Sequence, residues 1–452
     1  MTTLTIVLIV VSAVLILLFM VLKLKISAFI SLLVIAIYVG ILTGMPLSAI
    51  TESIQDGMAS TLGFVATVVG LGAIFGQMLE SSGGAESLAH YLIKKFGKDR
   101  APWAMVFTGF LVGIPVFFDV GFIILVPIVY ALSRDTKRSL LYYAIPLLAG
   151  LAVTHSFIPP TPGPVAVADI IDAQLGWVIL FGFILGLPTA IIAGPVFGKY
   201  ISKKIYLEPP FNLNEPQQEF DPKNYPSFRS IVIIISIPLT LILLNTFTTV
   251  AVSRELIRQS TLTEIVEFIG HPFSALIIAT LIATYFLCLK RGMDKQKVLD
   301  LSTKALGPAG VIILITGAGG VLKQVLIDSG IGQKMAESMV YSPLPPIMLA
   351  WMISAAVRVT QGSATVAMIT AASLIAPIIT EYGLSDPQRA LVVLSISSGA
   401  TLLSHVNDSG FWLVGKYLGM NEKQTLQSWT VMETIIAFCG LGFTLLASLF
   451  FK

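Results

Sequence analysis

The sequence predicts an all-α polytopic membrane protein. It is expected to hold two inverted repeats of about five transmembrane helices, each with a re-entrant helical hairpin and a broken helix. Three observations lead there. Apolar runs of about 20 residues, the length that crosses a hydrocarbon core, recur along the whole chain. Segments of the two halves match at a nearly constant offset. Lys and Arg collect in alternate loops, which fixes how many times the chain crosses.

Composition supports the lipid setting. The 452 residues are 55% hydrophobic and 12% charged, with a mean hydropathy of +0.88. Soluble chains carry roughly 25% charged residues. A net charge of +3 gives no basis for a nucleic-acid partner. The two cysteines, Cys288 and Cys439, lie in apolar runs and suggest neither a disulfide framework nor a metal site. No cofactor is expected. The N-terminal run to Leu22 has no basic leader and no small-residue cleavage site, so it reads as a retained span.

In the first half, spans are expected near 4–22, 26–45, 58–79, 139–157 and 176–198. A Pro-rich polar stretch, Glu208 to Pro222, is the one long hydrophilic segment and reads as a linker. Spans near 230–250, 271–290, 305–327, 388–406 and 429–451 follow. This divides the chain into a first repeat at 1–206, a cytoplasmic linker at 207–228 and a second repeat at 229–452. Gly70, Gly72, Gln77, Leu79, Ser82 and Gly83 match Gly317, Gly319, Gln324, Leu326, Ser329 and Gly330 at an offset of 247. Pro127 and His155 match Pro377 and His405 at 250. Coincidence between Gly- and Leu-rich helices is the bland alternative.

Between the third and fourth spans of each half lies a segment unlike a simple helix. Ala104–Ile114 and Val120–Leu132 flank a polar point at Asp119, and Ile347–Val357 and Thr365–Ile379 flank Arg358 to Ala364. Arms of about 11–15 residues are too short to cross. They suit a hairpin whose tip lies near the midplane; one long kinked span is the alternative. Lys94, Lys95, Lys98 and Arg100 precede the first segment, and Arg134, Lys137 and Arg138 follow it, so both its ends belong on one side. With the N-terminus outside and both hairpins non-crossing, 21 of the 28 Lys and Arg residues fall in the cytoplasm, and Arg358 is left in the membrane. An odd number of spans per half inverts the second half.

Helix breakers and ionisable groups at membrane depth mark a substrate path. Arg358 offers a planar fork suited to a carboxylate; a fixed ion pair with Asp119 or Asp408, or snorkelling, would also explain it. Asp119 suits proton or cation coupling, or a helix cap. His155 and His405 each stand at a break and titrate near neutrality; either could instead be a satisfied structural donor. Thr161 and prolines follow the first histidine, whereas Asn407 and Asp408 follow the second. Ser156, Ser363 and Thr365, with Thr154, Ser404 and Ser409, offer hydroxyls that could equally bond their own helices. Glu433 and Asn245 read as packing between helices, and Glu80, Glu86 and His90 as solvated loop residues. No Walker, His-Glu-x-x-His or Gly-x-Ser-x-Gly motif occurs, so an enzyme is not expected.

Five strings carry a resemblance: Gly76-Gln-Met-Leu-Glu-Ser-Ser-Gly-Gly-Ala85, Gly113-Ile-Pro-Val-Phe-Phe-Asp-Val-Gly-Phe122, Thr154-His-Ser-Phe-Ile-Pro-Pro-Thr-Pro-Gly-Pro164, Arg358-Val-Thr-Gln-Gly-Ser-Ala-Thr365 and Ser404-His-Val-Asn-Asp-Ser-Gly-Phe-Trp412. Together they resemble the gluconate permease family over nearly the whole chain. The resemblance implies a secondary active transporter, in the ion-transporter superfamily architecture, that takes up gluconate or a related sugar acid with protons. Members carrying other hydroxy acids or D-serine share such motifs. The expected partners are a gluconate-like carboxylate, protons and the lipid bilayer of the cell inner membrane; a homo-oligomer is left open. Arg358, Ser363, Thr365, Thr161, Asn407 and Ser156 are the candidates for binding substrate. His155, His405, Asp119 and Asp408 are the candidates for carrying the proton.

Overall fold

The computed structural model describes residues 3–209, 225–331 and 344–451. Most of the expected linker, 210–224, lies outside the described residues. Every regular element among the described residues is a helix. The first set is α1 (Thr3–Leu22), α2 (Ala28–Leu42), α3 (Leu47–Ser81), α4 (Gly84–Phe96), α5 (Ala101–Val112), α6 (Phe118–Thr136), α7 (Leu141–Phe157), α8 (Pro162–Ile170) and α9 (Leu175–Lys204). The second set is α10 (Phe228–Ser253), α11 (Thr261–Gly270), α12 (Pro272–Arg291), α13 (Lys295–Asp328), α14 (Pro346–Gln361), α15 (Ala364–Glu381), α16 (Asp386–Gly399), α17 (Ser409–Leu418) and α18 (Glu422–Ser448).

The matched Ser-Gly pairs are helix stops. After α3, the amides of Ser82 and Gly83 close on the Met78 and Glu80 carbonyls, and Gly83 takes φ +73°. After α13, Ser329 and Gly330 close on Val325 and Ile327, with Gly330 at φ +69°. This is the left-handed cap that glycine adopts without a Cβ penalty.

Eight of these stretches are long and apolar enough to cross a membrane: α3, α7 with α8, α9, α10, α12, α13, α15 and α18. α2 and part of α1 add shorter apolar helices. The chain is therefore a multi-pass membrane protein. Its most central element is the broken pair α7–α8, whose most apolar window is 89% buried, against 39% for α10, α12 and α18. The latter three leave apolar side chains such as Ile233, Leu281 and Phe438 for lipid.

The hairpin arms differ from expectation. α6 has 19 residues and α15 has 18, longer than the 11–15 read from the sequence. Both start right at the tip: Ser363 Oγ caps α15 by accepting from the Val366 amide at 3.4 Å, and Asp119 sits in the first turn of α6. α15 alone is long enough to cross, so arm length does not argue for re-entry there.

Two helices were not anticipated. α11 packs on α10, where the Asn245 amide donates to the Glu267 carbonyl at 2.7 Å, the helix-packing role expected of Asn245. α4 corrects the reading of Glu80, Glu86 and His90 as loop residues. Glu80 ends α3, while Glu86 and His90 lie in α4 and are largely enclosed. Their burial pushes the Glu86 carboxyl up and the His90 imidazole down from their ordinary values.

Candidate functional site

Two turns and two breaks converge on one cavity of about 550 Å³, inside the range of about 300–1,000 Å³ usual for small-ligand pockets. The turn between α5 and α6 supplies Phe117 and Asp119. The end of α7 supplies His155 and Ser156, the α14–α15 turn Arg358 and Gln361 to Thr365, and the α16–α17 break Asn407 to Gly410. Trp429 and Glu433 of α18 and Pro308 and Ile312 of α13 complete the wall.

The second hairpin is held to the second break by backbone capping. α14 ends at Gly362, φ +83°, where a Cβ would collide with the Asn407 carbonyl. The last carbonyls of a helix lack internal donors. Here Asn407 Nδ2 donates to Val359 O at 3.0 Å and Thr360 O at 3.2 Å, and His405 Nε2 lies 2.9 Å from Val359 O. Asp408 caps α17 through Oδ1, which accepts from the Gly410 amide at 3.1 Å. Its Oδ2 accepts from Arg358 Nη2 at 2.5 Å and from the Ser404 hydroxyl. Ser404 Oγ in turn accepts from Trp429 Nε1 at 2.7 Å.

Arg358 is 3% exposed. Its expected ion pair with Asp408 is present, yet Nε and Nη1 have no partner. A buried guanidinium with two unused donors is costly unless an acceptor joins it. Beside it, both amide atoms of Gln361 and Oε1 of Glu433 are also enclosed and unpartnered.

Across the cavity, His155 keeps an enclosed Nδ1 with no partner, and its ring lies 6.3 Å from that of Phe117. Ser156, Thr365 and Asp119 line the cavity, and the helix that Asp119 opens has Phe117 at its N-cap with no side-chain cap bond, so the cap envisaged for Asp119 is not formed. Thr154 is spent on the Phe110 and Gly150 carbonyls.

Of the residues singled out in the sequence, the cavity therefore gathers Arg358, Ser363, Thr365, Asn407, Ser156, His155, Asp119 and Asp408. It does not gather Thr161, whose hydroxyl turns back to the Ile158 carbonyl at 2.6 Å and which borders a separate small pocket. Nor does His405 line it. Sequence reasoning missed Gln361, whose signal was its place beside the tip glycine. It also missed Glu433, a lone carboxylate in an apolar helix, which belongs to the cavity wall and not simply to helix packing.

Residues 4–450 match the GntP family permease pattern. The chain belongs to the GntP permease family. Like other GntP permeases it is a transport protein, not an enzyme. It is 42% identical over 440 residues to the low-affinity gluconate transporter of Escherichia coli (strain K12), with 97% of each chain covered. It is 42% identical over 428 residues to a gluconate permease of Pseudomonas aeruginosa, with 94% of each covered. The YdaH transporter of Alcanivorax borkumensis shares the fold, with a TM-score of 0.62 over 88% of each chain at 13% identity.

Proposed function

We propose that this GntP permease is a secondary active transporter that imports gluconate or a related sugar acid across the cytoplasmic membrane by proton symport. The observation that carries the reading is the buried Arg358, anchored by Asp408 at one nitrogen and unpartnered at two, in a chain so similar to gluconate transporters. Arg358 takes the carboxylate. Ser156, Ser363, Thr365, Asn407 and Gln361 read the hydroxyls.

Charge balance supports the proton. Asp119, Asp408 and Glu433 share the cavity with one guanidinium. With all three carboxylates ionised the wall already carries more negative than positive charge, and an anionic substrate adds to the excess. Protons entering with it, on Asp119, Glu433 or His155, remove that penalty. The reading also takes the two halves as inverted repeats, α5–α6 and α14–α15 as re-entrant hairpins, and α7–α8 and α16–α17 as broken helices aimed at the substrate.

The test is uptake of labelled gluconate into proteoliposomes. Accumulation driven by an inward proton gradient, competed more strongly by sugar acids than by D-serine or glycerate, is the expected result. Accumulation that follows a sodium gradient and ignores pH would overturn the coupling. Preference for D-serine would overturn the substrate.

A further inference from the structure

A second chamber of about 290 Å³ lies beside the central cavity. It opens between α3, α13 and the turn that follows α5, and it shares Phe117, Val120 and Pro308 with the central cavity. One layer of side chains thus separates the two spaces. α3 comes close to that turn because Gly76 faces the Pro115 carbonyl, where a Cβ would collide.

Its polar groups sit at one end. Lys304 of α13 and Gln77 and Glu80 of α3 line it, on the side where the basic loops gather, which is the cytoplasmic side. Lys304, an exposed side chain, forms no close ion pair with a described carboxylate, although Glu80 is near enough to feel its charge. The Gln77 amide donates to Glu80 Oε2 at 3.1 Å and to Ser81 Oγ at 3.0 Å, which leaves the Gln77 carbonyl oxygen and Glu80 Oε1 as acceptors. Pro308 has no N–H to offer the Lys304 carbonyl four residues earlier. An ammonium that Glu80 reaches only at a distance, beside side-chain acceptors, complements a molecule with one carboxylate and a chain of hydroxyls. It does not complement a hydrocarbon or a simple cation.

We propose that this chamber is a second, release-side binding site for a polyhydroxy carboxylate. Substrate leaving the central cavity past Phe117 rests there, its carboxylate on Lys304 and its hydroxyls on Gln77 and Glu80, before it enters the cytoplasm. The inference rests on the reading of the chain as a sugar-acid transporter, and it adds a site that is separate from Arg358.

Equilibrium binding of labelled gluconate to the purified full-length chain tests it, with thermal melting of each variant as the check on folding. Wild type is expected to bind at a tight and a weaker site. Lys304→Met should abolish the weaker site, or reduce its affinity by about tenfold or more, the worth of one charge-assisted bond, and leave the tight site unchanged. Lys304→Arg should retain both, and Arg358→Met should lose only the tight one. A wild type with a single site that Lys304→Met leaves untouched would overturn the chamber and spare the transport reading. A wild type that binds no gluconate would overturn both.

Discussion

The two breaks carry a histidine at matched positions, and the structure uses them differently. At the first, between α7 and α8, the surroundings are apolar, and Thr154 and Thr161 bond local carbonyls. His155 is left facing the cavity with an unpartnered nitrogen. At the second, between α16 and α17, His405 and Asn407 cap the carbonyls that end α14, and Asp408 holds Arg358. One break exposes a titratable group. The other builds a frame around a cation. Matched sequence positions thus need not carry matched roles, because a side chain's job depends on which orphan backbone groups lie beside it.

The largest expected effect comes from the frame's cation. Arg358→Ala should reduce uptake by about 100-fold or more, since it removes the anion site and leaves a buried Asp408 unpaired, a loss of about 3–5 kcal/mol. Uptake measured beside membrane abundance checks this; near-normal transport would remove Arg358 from the site. His155→Gln should come next. It is expected to weaken the response of uptake to an imposed proton gradient, whereas His405→Gln keeps a donor for Val359 and should preserve that response. The reverse order of effects would erase the contrast between the breaks.

A smaller effect is expected from Asn407→Ala, which frees the Thr360 carbonyl and leaves Val359 O to His405 alone. Its melting temperature should fall, reflecting a loss of about 1–3 kcal/mol, with KM raised more than kcat is lowered because the hairpin tip is no longer pinned. Thr161→Val should be the mildest, about 0.5–1.5 kcal/mol of stability, with gluconate affinity unchanged. A marked loss of affinity would bring Thr161 back into the binding site.

Much of this was legible in the sequence because membrane depth makes exceptions visible. Arg358, Asp119 and the prolines after His155 stand out against apolar neighbours, and all lie at turns or breaks. The Ser-Gly pairs, read in the sequence only as part of the internal match, end α3 and α13 in the structure. α4 and α11 were harder to see: short, partly polar helices beside long spans resemble loops. Glu433 was legible as an exception but was assigned to packing, since nothing in one chain shows which face of α18 meets the cavity. The role of His405 depends on the Val359 carbonyl, 46 residues away, and no local pattern records that meeting.

If Arg358 takes the carboxylate as proposed, Asp408 has a chemical consequence for what the transporter rejects. By bonding Arg358, Ser404 and its own helix start at once, it sets the guanidinium in place before any solute arrives. Selection then falls on the head of the incoming molecule more than on its tail. Gluconolactone and gluconamide keep the hydroxyls of gluconate but bring no negative charge to Arg358. On the proposed role of Arg358, a cell that oxidises glucose outside its membrane would have to open the lactone ring before this permease could recover the carbon.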